Sequence, residues 1–168
     1  MVDSFDESLE SFIETWIVGD PLARDRLNWA WILQFPWVSA SAEDEAVQER
    51  YKFSVFAKDF RQIPMLVSRH RAIIAFLFLT LCAGRLSLKY AYYDPLDIVD
   101  VVAALQVAIK EINPWVFISA DIVLNGALKR DFPFYLATRI KSSLAYAAKG
   151  LPLSPARPQF GLGDTIFT

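Results

Sequence analysis

RHRAIIAFLFLTLCAGR, residues 69–85, contains thirteen consecutive uncharged residues, Ala72 to Gly84, clamped between arginines. Three readings compete for it: a membrane span, the centre of a globular domain, or a site using the chain's one histidine and one cysteine, His70 and Cys82. As a helix the run is about 20 Å long, against roughly 30 Å of hydrocarbon to cross. Extension upstream to Ile63 brings Arg69, His70 and Arg71 inside, and extension downstream meets Arg85 and Lys89. Each such cation near a bilayer centre costs ~3 kcal/mol, so the run is not read as a membrane span. A helix apolar on all sides belongs instead at the centre of a globular domain, among amphipathic helices. This places Pro64 to Ala83 in one central helix, with Arg69, His70 and Arg71 reaching solvent from its first turns. On that helix His70 and Cys82 stand about 18 Å apart, too far for a nucleophile and its base. Cys82, between Leu81 and Ala83, reads as a small buried hydrophobe.

Working outward, prolines and glycines divide the chain. Pro21, Pro64, Pro95, Pro114 and Pro133 sit where helices could begin, several behind a capping Asp or Asn. Glycines 19, 84, 126 and 150 fall where helices could end. Ser4 with Glu7 forms a capping box for residues 4–18, whose Phe5, Leu9, Phe12, Ile13, Trp16 and Ile17 line one face. Ile98, Val101, Val102, Leu105, Ala108, Ile109 and Ile112 do the same for residues 95–112. Residues 41–58 and the stretch after Pro133 are further helix candidates. The expected fold is all-α: a compact single-domain bundle of six to seven helices around residues 64–83. One segment dissents, because Leu86, Leu88, Tyr90 and Tyr92 alternate with the period of a strand, so residues 86–92 are either a short extended stretch or the end of the long helix. Residues 1–150 read as the helical domain, and residues 151–168 as a proline-rich apolar arm docked on its own domain or on a neighbouring subunit.

Composition narrows the function classes. Apolar residues make up 54% and aromatics 14% of 168 residues, a surplus that often finds a second home between subunits. A single cysteine excludes an intrachain disulfide framework, and the acidic start MVDSFDESLE lacks the basic and apolar regions of a signal peptide. The expected location is therefore cytoplasmic. Charge is segregated: successive blocks 1–50, 51–93, 94–131 and 132–168 carry −8, +6, −3 and +3. Such blocks either neutralise each other within the domain or meet between subunits, where charge sets orientation.

No stretch carries a motif that defines a reaction, so no catalytic residue, metal site or cofactor is assigned. Asp94, Asp97 and Asp100 could hold Mg²⁺ with waters, but read more simply as a cap, a dipole partner and a solvated side chain. One histidine and one cysteine cannot assemble an ordinary zinc site. The basic block offers Lys58, Arg61, Arg69, Arg71, Arg85 and Lys89 as phosphate contacts beside tyrosines that could stack on bases. Against nucleic acid stands an overall pI near 5.4. The favoured expectation is a non-enzymatic assembly or scaffold subunit, coat- or filament-like, whose partner is itself or one other protein. Its anchors would be Tyr92, Tyr93, Trp115, Phe160 and Phe167. The alternative is a helical protein holding a small apolar ligand near Trp29, Trp31, Phe76 and Phe78.

Overall fold

The apolar run is a β-strand, and the fold is α/β, not all-α. The computed structural model describes residues 7–17, 24–34, 38–39, 55–56 and 59–131. In chain order these form α1 (Glu7–Ile17), α2 (Arg26–Gln34), β1 (Val38–Ser39), β2 (Val55–Phe56), β3 (Phe60–Arg69), β4 (Ala72–Cys82) and β5 (Arg85–Tyr93). A 3₁₀ turn (Pro95–Asp97) then leads into α3 (Ile98–Ile112), β6 (Val116–Ile118) and α4 (Ile122–Asp131). Strands β1 and β2 make a short parallel pair, and the main sheet has the order β3-β4-β5-β6. Its first three strands are antiparallel neighbours, and β6 lies parallel to β5 after the crossover through α3.

The expected central helix, Pro64–Ala83, is thus a hairpin of β3 and β4. Two turns decide this. His70 (φ 50°) and Arg71 (φ 70°) join β3 to β4, and Ala83 (φ 49°) and Gly84 (φ 75°) join β4 to β5. Two central residues of positive φ match the right-handed twist of flanking antiparallel strands. Arg69 accordingly faces Ala72, and Cys82 faces Arg85. Gly84 therefore serves a hairpin instead of ending a helix, and Pro64 lies in a sheet-edge strand, where a missing N–H is tolerated. Gly126 lies inside α4, and Pro114 leads into β6.

β4 is apolar throughout because helices cover both faces of the sheet, so neither set of its side chains meets water. Ala75, Leu77, Leu79 and Leu81 pack against Val101, Val102, Leu105 and Ile109 of α3 and Leu124 and Ala127 of α4. Phe76 and Phe78 pack on the other side against Leu9 and Ile13 of α1 and Trp29 of α2. Residues 86–92, open between a strand and the end of a helix in the sequence, are strand and belong to the longer β5. A bulge at Lys89, between the pairs Phe78–Tyr90 and Leu79–Leu88, shifts the parity. Leu86 and Leu88 therefore join the α3 side, while Tyr90 and Tyr92 join the α1–α2 side.

The helices at 4–18 and 95–112 stand where the described residues reach them. In α1, Leu9 and Ile13 are buried and Glu7 and Glu14 face water. The Asp94 carboxylate accepts a hydrogen bond from the Leu96 N–H at 2.8 Å, with Pro95 in the first position. Ser4, the helix candidate after Pro133 and the arm 151–168 lie outside the described residues, as does most of the helix candidate 41–58, whose described residues Val55–Phe56 are strand.

Candidate functional site

Among the described residues, the outer side of α3 is an apolar surface that the core does not explain. Its inner side is an ordinary amphipathic face, with Val101, Val102, Leu105 and Ile109 buried on the sheet. Successive residues turn by about 100°. Ala103 points opposite that core, Val99 and Val107 lie about 40° to either side, and Lys110 lies about 20° away. Ala103 is exposed, Val99 is 69% exposed and Val107 54%. Leu96, in the 3₁₀ turn that leads into the helix, is 89% exposed. The neighbouring α4 adds Ile122 and Val123. Exposed valines on a helix are single events in most proteins; four small and branched apolar residues in one row make a patch.

Charge frames this row. Arg69 reaches from the end of β3 to Asp97 at 2.7 Å and Asp100 at 3.0 Å, at the N-terminal end of α3. The Asp100 hydrogen bond and the nearby Asp97 charge hold the guanidinium pKa above its usual value. Lys110 stands at the opposite end of the helix. The three aspartates are thus accounted for as a cap and an ion-pair pair. Among the described residues, no group of three His, Cys, Asp or Glu side chains is placed to hold a metal.

The expected interface anchors are redistributed. Tyr92 is buried, stacked on Phe76 at 6.3 Å. Tyr93 is buried on the opposite face, its hydroxyl donating to Asp121 Oδ1 at 2.9 Å. That same oxygen accepts the Leu124 N–H and caps α4, so Tyr93 ties helix to sheet. Trp115 is exposed, but its indole N–H donates to the Ala83 carbonyl at 2.8 Å and its ring covers Gly84. Phe160 and Phe167 lie outside the described residues.

The phosphate candidates are scattered. Arg69 and Arg71 stand at the β3–β4 turn, and Arg61 and Arg85 at the far end of the sheet, about 27 Å away along β3. Arg69 is engaged by carboxylates, and the Arg85 guanidinium lies 5.7 Å from the Trp115 ring. Lys89 is half-buried in the bulge, and desolvation there lowers its pKa. Lys58 lies outside the described residues. Trp29 meets Phe76 and Phe78 edge-on at 5.1 and 5.5 Å, distances at which such rings are in contact, and Trp31 faces outward. His70 and Cys82 sit at opposite ends of β4, farther apart than on a helix, so they form no catalytic pair.

Sequence reasoning missed Val99, Ala103 and Val107 because they sit among core residues of equal hydropathy. No family model matches the chain, and comparisons with curated proteins and with solved structures find no match either. No helix among the described residues is long and apolar enough to cross a membrane.

Proposed function

We propose that this chain is a non-enzymatic α/β interaction protein of the cytoplasm that associates with copies of itself, as an assembly or scaffold subunit. The observation that carries the reading is the outer row of α3. A helix that already buries one face on its sheet exposes Val99, Ala103 and Val107 on the other, with Leu96 exposed in the turn before it. Removing such a row from water is favourable by about 25 cal/mol per Å². One helix face falls short of the ~800 Å² per partner of a standard interface, so association is concentration-dependent. The absence of disulfide chemistry in a one-cysteine chain agrees with a reducing compartment.

Light scattering across a concentration series tests this. The expected mass rises above 19.1 kDa, and Val99→Glu with Val107→Glu returns it to the monomer, circular dichroism showing the fold intact. The same series without residues 151–168 separates association through α3, which survives truncation, from association through the arm. A 19.1 kDa particle at every concentration refutes the reading.

A further inference from the structure

We propose that Lys89, the extra residue of the β5 bulge, is a capture site for small aldehydes, which its amine holds as imines. Its surroundings follow from the register. Leu88 lies with Leu79 on the α3 side, so the next residue turns to the α1–α2 side, and the bulge keeps Tyr90 there as well. Thr80 and Cys82 alternate from Phe78 onto that same side of β4, with Ser87 opposite Thr80 and Arg85 opposite Cys82. Gln62, opposite Thr80 on β3, donates from Nε2 to the Ile32 carbonyl of α2 at 3.1 Å, which fixes this as the side that α2 covers. Beyond Phe78 and Tyr90 the aromatic cluster around Trp29 therefore gives way to hydroxyl, thiol and amine groups. Thr80 is buried there, while Ser87, Lys89 and Cys82 are half-buried and open to a small molecule.

A lysine in open water is protonated at neutral pH and has no lone pair to offer. Lys89 differs, because desolvation disfavours its ammonium form and lowers its pKa, and the charge of Cys82 opposes this only in part. A desolvated lysine of this kind is a nucleophile toward carbonyl carbon. The other charged groups on this side are Arg85 on β5, Arg24 over the Tyr90 ring, Glu10 paired with Arg26, and Asp25 capping α2. The neutral amine attacks the carbonyl carbon, forming the N–C bond while the C=O π pair moves to oxygen. Proton transfer then gives a carbinolamine. Its C–O bond breaks, both amine hydrogens leave with that oxygen as water, and the C=N bond remains. Ser87, about 7 Å back along β5 on the same side, supplies a hydroxyl donor to the developing alkoxide.

Reductive trapping on the full chain tests this, and it does not depend on self-association. The protein is incubated with acetaldehyde and cyanoborohydride at neutral pH, and the adduct on each lysine is measured by peptide mass mapping. Lys89 is expected to carry several times the adduct of the exposed Lys110 and Lys129. The excess should shrink as pH nears about 10.4, where exposed lysines too are half neutral, and vanish in denaturing urea. Lys89→Arg, which keeps the charge and the long stem, should remove the favoured adduct and leave Lys110 and Lys129 unchanged. Ser87→Ala should slow labelling of Lys89 severalfold, and an unchanged rate would overturn the part given to its hydroxyl. Equal labelling of the three lysines at neutral pH, an unmodified Lys89, or a preference that persists in urea would overturn the proposal.

Discussion

Gly84 shows how one missing methyl group positions a whole side chain. A Cβ there would lie 2.4 Å from Trp115 Cδ1 and 2.8 Å from Nε1, and the backbone φ of 75° is one that other residues adopt at a cost. Gly84→Ala is expected to lower stability in urea by about 2–3 kcal/mol, of which ~1–2 kcal/mol is backbone. In a Trp115→Ala background only the backbone part should remain, and an equal cost in both backgrounds would refute the contact. Tyr90 makes a second residue-scale prediction. Burial raises its phenol pKa, partly offset by the Arg24 guanidinium 4.3 Å from the ring centroid. Below about pH 10 the phenol is protonated in both states and its contribution is complete. As pH rises through that value the unfolded chain ionises first, so stability falls until the folded phenol follows. Tyr90→Phe keeps the ring against Trp29 and should lose less stability than the parent between about pH 9 and 11, read from urea midpoints.

For the secondary-structure elements, the bulge at Lys89 decides the core. The alternation of Leu86, Leu88, Tyr90 and Tyr92 suggests one face, yet the structure divides the four between two. An extra residue in a strand shifts every later side chain to the opposite face. Deleting Lys89 would send Tyr90 and Tyr92 toward α3 and leave Trp29 without two of its ring contacts, at 5.2 and 6.1 Å. Such a loss is comparable with the whole 5–15 kcal/mol stability of a typical domain. The deletion is expected to abolish the near-ultraviolet circular dichroism signal and cooperative unfolding, whereas Lys89→Ala retains both. If the deletion variant unfolds as the parent does, the bulge has no such role. α1 and α3 were legible beforehand because each buries only one stripe, so 3.6-residue spacing appears in the letters. β4 was not legible, because a strand covered on both faces has no polar face and hence no period. Its length, longer than most strands, then pointed to a helix.

Across the whole molecule, charge segregation resolves into local pairs among the described residues. Arg26 meets Glu10 at 3.5 Å within the acidic first block, and Arg69 of the basic block meets Asp97 and Asp100 of the third. The six cations proposed for phosphate contact were read as one surface because they are near in sequence; the sheet carries four of them to its two ends. The row on α3 is the converse case, invisible in composition and evident once the sheet beneath the helix is known. By itself the sequence determined α1 and the Asp94-Pro95 start leading to α3, while it left residues 86–92 open between a strand and the end of a helix. Those features depend on groups a few residues apart. Only the tertiary structure decided that Ala72–Cys82 is a strand and which face of the sheet each side chain of β4 and β5 joins. A helix closes its hydrogen bonds within its own segment, whereas a strand closes them on neighbours, here β3 and β5, which the run itself cannot specify.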